Sequence, residues 1–246
     1  MRLMAAIFCV AMGAIAISAP ARADDFTPPQ KAAIDKQIHD YLLAHPEVLI
    51  EAVQAADDKM KSDARDKAQQ VLATKRKEVF DDPSSPVAGN PHGDVTMVEF
   101  FDYRCPYCKQ VEPSLEKVIA DDHHLRFVYK EFPVLGPVST TAARAALAAK
   151  KQGKYDAFHR AMMAMKGQIT DQTVMDVASS VGLDIGQLQR DMESPEVDKT
   201  LKADLALADA LDISGTPAFI VGNQIIPGAV NLDALKQAIA DARKGG

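Results

Sequence analysis

The strongest constraint on this chain is a pair of cysteines three positions apart, Cys105 and Cys108, set where a β-prone run meets a helical one. The run Val95-Thr96-Met97-Val98-Glu99-Phe100-Phe101 is β-branched or aromatic at most positions, the composition of a buried strand. After Pro106 the apolar residues Val111, Leu115, Val118 and Ile119 recur at helical spacing. Residues 125–131 read as a second strand, at the distance a parallel crossover needs. The cysteines therefore occupy the first strand-to-helix junction of a β-α-β unit.

That junction decides what the sulfurs can do. Pro106 in the first helical turn costs no hydrogen bond, and the unpaired N–H groups and positive dipole end of the helix favour an anionic sulfur at Cys105. Cys105 is then the nucleophile. Cys108, one turn deeper, is the resolving thiol that attacks a mixed disulfide from within. A purely structural bridge across so short a loop would constrain the unfolded chain very little. A structural zinc site needs about four ligands. The sequence has no second cysteine pair and no His-x-x-x-His, and the adjacent His123 and His124, beside Asp121 and Asp122, fit a solvated turn. No metal is expected.

A third cysteine, Cys9, lies in a segment of another kind. Arg2 supplies a positive n-region, residues 3–17 form an apolar h-region, and Ala21-Arg22-Ala23 place small residues at a cleavage point. This is the pattern of a secretory signal peptide cut after Ala23. Its apolar run is shorter than the roughly 20 residues a membrane span needs, and Cys9 stands in mid-run, where no lipid attachment is expected. The expected address is the periplasm, an oxidising space in which the state of a thiol pair matters. With 34 acidic against 28 basic residues, a net charge of −6 and no basic block, the chain offers no surface for nucleic acid.

Residues 27–80 are rich in Ala, Lys, Asp, Glu and Gln and contain no Gly, which favours helix, and Pro46 divides them into two. Ile34, Ile38, Tyr41 and Leu42 recur at helical spacing in the first helix. In the second, Leu49, Val53, Ala56, Met60, Ala64, Ala68 and Val71 make one narrow apolar seam flanked by charges, suited to helix-to-helix pairing. So charged a helix is weakly stable alone. Residues 24–80 are therefore expected to be a helical stalk through which copies of the chain associate; the alternative is a helix packed on its own catalytic domain. Clustered breakers, Asp81-Asp82-Pro83-Ser84-Ser85-Pro86 and Gly89-Asn90-Pro91-His92-Gly93, predict a linker at 81–93, with a catalytic domain at 94–246. Within that α/β domain residues 138–211 carry only helical signals, a helical insertion. Strands at 218–221 and 224–226, joined by a Gly222-Asn223 turn, form a hairpin before an amphipathic helix through Leu232, Leu235 and Ile239.

Gly215-Thr216-Pro217-Ala218 opens the first of those late strands. A proline cannot donate to the sheet ladder but is tolerated at a strand's first position, where a cis bond presents the backbone of Thr216 to a ligand. Alone this is a turn before a strand; beside a Cys-x-x-Cys at a strand-to-helix junction it becomes a redox signal. With Glu99-Phe100-Phe101-Asp102-Tyr103-Arg104-Cys105-Pro106-Tyr107-Cys108-Lys109 and the helical insertion, residues 94–243 resemble the DsbA family of thioredoxin-fold periplasmic oxidoreductases. The resemblance implies a cis Thr216-Pro217 bond facing the pair and a Cys105 that alternates between disulfide and thiolate. It also implies client contact through Pro106, Tyr107, Thr216 and Pro217. Glu99 matches the family's acidic residue beneath the pair, which relays a proton to or from Cys108; read plainly, it is an edge or cap carboxylate.

The helical extension is similar to that of the suppressor of copper sensitivity C (ScsC) group, whose members trimerise through such stalks. That likeness implies a thioredoxin fold carried on an all-helical oligomerisation stalk, a homotrimer formed through residues 24–80, and disulfide isomerase activity on exported cysteine-containing proteins. It further implies a membrane reductase of the DsbD/ScsB kind as redox partner, and no cofactor beyond the cysteines. Two other readings stay open. One is a monomeric DsbA-like oxidase; the other is a copper-tolerance protein whose two thiolates hold Cu(I). Met162, Met163 and Met165 are spaced for core packing and add nothing to the second.

Overall fold

The computed structural model describes residues 26–245; the signal-like segment, its cleavage point at Ala23 and Cys9 lie outside them. Two helices come first, α1 (Pro28–Ala44) and α2 (Pro46–Thr74), separated at Pro46 as the sequence predicts. Gln30 reaches back to accept the Thr27 N–H at 2.9 Å, closing the entry to α1. α1 buries no residue, and α2 buries only Ala68 and Leu72 near its C-terminal end. The chain divides into two compact units between Lys59 and Met60.

The second unit holds α3 (Arg76–Phe80), β1 (Val87–Gly89), β2 (Val95–Phe101), α4 (Pro106–Asp121) and β3 (Leu125–Glu131). Five helices follow: α5 (Pro137–Lys151), α6 (Tyr155–Ala164), α7 (Asp171–Ser180), α8 (Ile185–Met192) and α9 (Pro195–Ala210). β4 (Ala218–Val221), β5 (Gln224–Pro227) and α10 (Leu232–Lys244) close the chain. The sheet order is β1-β3-β2-β4-β5. β2 and β3 run parallel in the register Glu99↔Tyr129 and Phe101↔Glu131, and the other pairings are antiparallel.

β2 and β3 are covered on both faces, which is why their sequences are almost continuously apolar. Side chains alternate across a strand. Met97 and Phe101, with Phe127, Tyr129 and Phe219, meet Val111 and Leu115 of α4, Leu235 of α10 and the apolar faces of α5–α8. Val98, Phe100, Val128 and Ile220 meet Leu72, Val79, Phe80, Leu207 and Leu211 on the other side. Glu99, in phase with Met97 and Phe101, therefore points to the face that α4 covers.

Two sequence expectations are corrected. Residues 81–93 are no linker: they carry β1, paired with β3 in the register Val87↔Val128, because three residues between breakers suffice for a short edge strand. Gly89 permits the turn out of it, with φ +69° and the Leu125 carbonyl so near that a side chain would strike it. The stalk does not extend to residue 80, since Leu72, Val79 and Phe80 pack against the sheet, Val71 beside them, and Ala68 is buried; the tail of the expected seam is a domain contact. Polar locks hold this stretch. The buried Lys130 pairs with Asp82 (3.1 Å) and Asp204 (3.0 Å). Lys150 donates to the carbonyls of Pro83 and Ser84, and Arg126 to that of Phe80. The helical insertion expected at 138–211 is present as α5–α9, and includes α8, a short helix with no separate signal in the sequence pattern.

Candidate active site

β2 hands over to α4 through a turn fastened from both sides. The Asp102 carboxylate accepts the N–H groups of Arg104 (2.7 Å) and Leu135 (3.0 Å), and the Asp102 carbonyl accepts the N–H of Cys105 (2.9 Å). The Arg104 guanidinium donates to the Leu135 carbonyl, so the turn before the cysteines and the loop after β3 are clamped together. Cys105 is the N-cap of α4 in extended conformation, and Pro106 takes the first helical position.

Both cysteines are free thiols. Cys108 is fully enclosed and Cys105 is 4% exposed, while Pro106 and Tyr107 between them face solvent, Tyr107 at 60%. The Cys105 thiol donates to the Thr216 carbonyl at 3.2 Å. The Thr216-Pro217 bond is cis, and the Gly228 N–H fixes the loop by donating to the Pro217 carbonyl at 2.8 Å. Residues 111 positions apart in sequence thus meet at one sulfur.

Below the pair lies Glu99. It sits in a central strand, fully buried, and among the described residues neither of its carboxyl oxygens has a hydrogen-bond partner, so it is no edge or cap carboxylate. Burial, then the nearby Glu112, Cys105 and Glu131, hold its proton well above the usual carboxylate range. Burial likewise raises the Cys108 thiol, with Glu99 adding to the rise and a backbone hydrogen bond at Asp102 opposing it. Glu99 thus makes ionisation of Cys108 harder, while Cys105 does the same to Glu99.

Sequence reasoning missed the rest of the buried polar shell. The Tyr155 hydroxyl donates to Glu131 at 2.9 Å. The Tyr103 hydroxyl stands 3.4 Å from Glu131 and 3.1 Å from His159 Nδ1, and His159 Nε2 is 3.5 Å from Glu112. Glu112 had a readable signal, because four residues after Cys108 is the same face of the helix. Tyr155 and His159 had none, since they arrive from α6. Among the described residues no cluster of three or more His, Cys, Asp or Glu is placed to hold a metal ion.

A sheet of this order, with two thiols at the head of the helix that follows its central strand, is a thioredoxin fold, and the chemistry it presents is that of a thiol–disulfide oxidoreductase. The sequence profile of the DSBA-like thioredoxin domain matches residues 96–240, and that of the copper resistance protein ScsC N-terminal domain matches residues 30–59. The chain belongs to the DsbA-like thioredoxin family, and within it is ScsC-like.

The solved structures agree. A thioredoxin-like oxidoreductase from Silicibacter pomeroyi is 49% identical, with a TM-score of 0.68 over 70% of this chain and 99% of that one. ScsC of Proteus mirabilis in a transitional conformation is 29% identical, with a TM-score of 0.67 over 90% of this chain and 100% of that one. Among curated proteins, a Na(+)/H(+) antiporter NhaA 1 of Salinispora arenicola is 30% identical over 161 residues, 65% of this chain and 25% of the antiporter. The chain thus spans about a quarter of the length of the first such relatives. No helix among the described residues is long and apolar enough to cross a membrane.

Proposed function

We propose that this protein is a periplasmic disulfide isomerase, acting as a homo-oligomer on exported proteins. The observation that carries the chemistry is the Cys105 thiol, held at the N-cap of α4 against the Thr216 carbonyl, with Cys108 enclosed one turn below. In the reduced protein the Cys105 thiolate attacks one sulfur of a client disulfide. The Cys105–client bond forms, the client S–S bond breaks, and the second client sulfur leaves with the electron pair. Another client thiolate attacking the client sulfur of this mixed disulfide returns Cys105 as a thiolate, and the client has been isomerised. If Cys108 attacks Cys105 instead, the client is reduced and the pair oxidised. Glu99 takes the Cys108 proton in that step and returns it in the reverse one. Exposed Pro106 and Tyr107, with Thr216 and Pro217 across the sulfur, receive the client chain. A membrane reductase of the DsbD/ScsB kind resets the pair.

Isomerase is favoured over monomeric oxidase by the first unit. α1 and the start of α2 leave Ile38, Tyr41, Leu49, Ile50 and Val53 exposed, and residues 30–59 match the ScsC N-terminal domain. Joining active sites on such a stalk, as a homotrimer, raises their local concentration around one client and favours repeated exchange. Refolding of scrambled ribonuclease tests both parts. Wild type should unscramble it, Cys105→Ser should not, and a chain starting at Met60 should still reduce insulin but lose most unscrambling. A truncated chain that unscrambles as fast as wild type would replace the multivalent isomerase with a monomeric enzyme.

A further inference from the structure

Lys109 follows the resolving cysteine directly, and its side chain turns away from solvent into the insertion. Its Nζ donates to the carbonyl oxygens of Met162 (2.7 Å), Met163 (3.1 Å) and Met165 (3.0 Å). An ammonium has three N–H donors, and here all three are engaged on the last turn and C-cap of α6. The Met162 carbonyl also accepts the Met165 N–H at 3.3 Å, and all three lie at the helix end, which carries the negative end of its dipole. α6 thus directs its negative end at the first turn of α4, and Lys109 covers it. That turn also needs an anchor from outside its own helix, because Pro113 has no N–H to offer the Lys109 carbonyl.

We propose that Lys109 is a positioning residue for the Cys108 half of the exchange reaction: its three bonds to α6 fix the turn that carries Cys108 and hold a positive charge near that sulfur while it is an anion. The inference rests on the thiol–disulfide exchange proposed above and assigns one of its steps to a residue that never touches the client. The two groups sense each other. Burial lowers the proton affinity of Lys109, whereas Cys108 and Glu112 raise it. Around Cys108 itself, Glu99 from β2 and Cys105 from the same turn both oppose ionisation, and Lys109 is a cation set against them. In resolution the Cys108 proton passes to Glu99 in the minor fraction of molecules in which that carboxyl, held mostly protonated by burial, is ionised, and the Cys108 thiolate attacks Cys105 Sγ. The Cys105–Cys108 bond forms, the Cys105–client bond breaks, and the client sulfur departs as a thiolate with the electron pair. Over both steps the client disulfide is reduced and the cysteine pair oxidised. In the opposite direction Cys108 is the leaving thiolate, and the same charge assists it.

The reduced full chain can be mixed with oxidised glutathione and quenched with acid at intervals. Mass spectrometry of the peptide carrying both cysteines then counts the Cys105–glutathione adduct and the closed disulfide separately. Lys109→Met should form the adduct at the wild-type rate and close it about three- to tenfold more slowly. A loss of thiolate is partly repaid by the higher nucleophilicity of a less acidic thiol, so the slowing is smaller than the loss of thiolate itself. Lys109→Arg, which keeps the charge, should restore most of the closing rate. A folded Lys109→Met that closes as fast as wild type overturns the proposal, as does a Lys109→Arg no faster than Lys109→Met. If Lys109→Met does not fold, Lys109→Gln makes the same comparison. A wild-type chain that forms no adduct at all sinks the exchange reading itself, a result distinct from slow closure.

Discussion

Glu99 is a carboxyl in the central strand of the sheet, with no exposure and no hydrogen bond among the described residues. Burial keeps it protonated well above its ordinary value. In the unfolded chain it releases its proton near that ordinary value, so between the two the native state binds more protons. The stability it allows at low pH is therefore lost as pH rises through this window. Glu99→Gln cannot ionise and should escape the loss. In urea unfolding the two proteins should be closest at pH 5, and the variant should gain with each further unit, by at most about 1.4 kcal/mol per unit. Glu131, also raised by burial, is present in both, and the difference reports Glu99 together with its coupling to Glu131. A gap that stays constant from pH 5 to pH 8 would mean Glu99 ionises in the folded protein as it does in water. The same substitution removes the proton acceptor for Cys108 and should slow closure of the mixed disulfide while leaving adduct formation at Cys105 intact. Residues whose role depends on their own segment, such as Cys105, Pro106 and Cys108, were legible in the sequence. Thr216 became legible once Pro217 was set beside the Cys-x-x-Cys, and Glu99 only through resemblance to a family. Lys109, Glu131 and His159 were not, because their partners come from helices or strands tens of residues away.

Elements were legible where periodicity is long. β2, α4, β3 and the β4–β5 hairpin fall where apolar patterning puts them, whereas β1, three residues among breakers, and α8, eight residues long, do not. The stalk ends earlier than its sequence pattern for a physical reason: Ala68 and Val71 continue the seam of Leu49, Val53 and Met60, yet Ala68 is buried and Val71 packs against the second core face. Two truncations should separate these parts. A chain starting at Met60 keeps Leu72, Val79 and Phe80 and should melt as the catalytic domain does in the full protein. A chain starting at Asp81 removes all three from the second core face, together with the Phe80 carbonyl that Arg126 binds. Large-to-small changes at single buried sites cost about 2–5 kcal/mol, so three lost together exceed the 5–15 kcal/mol by which most domains are stable, or approach it. The shorter chain should be insoluble or unfolded by circular dichroism. Equal melting of the two would return residues 60–80 to the stalk.

At the scale of the whole molecule, one side of the problem is solved within the chain and the other is not. The catalytic unit closes its own core, with β2 and β3 covered on both faces. α1 buries nothing, and Val53 on α2 is 68% exposed, with Ile38, Leu49 and Ile50 also open. Helices this charged gain little from propensity alone and depend on burying an apolar face; a second and third copy of the same face would supply that burial. Ile38→Asp combined with Val53→Asp places a charge in each helix of the proposed interface and leaves the second unit untouched. Light scattering should then report a monomer in place of an oligomer, with the melting of the catalytic unit and its insulin reduction unchanged. Ribonuclease unscrambling should fall toward the level of the chain that starts at Met60, because linked sites act at effective concentrations of order mM, which free monomers in an assay do not reach. An unchanged molar mass would show that these residues do not form the interface. A monomer that still unscrambles at the full rate would show that assembly is not what makes the thiol pair an isomerase.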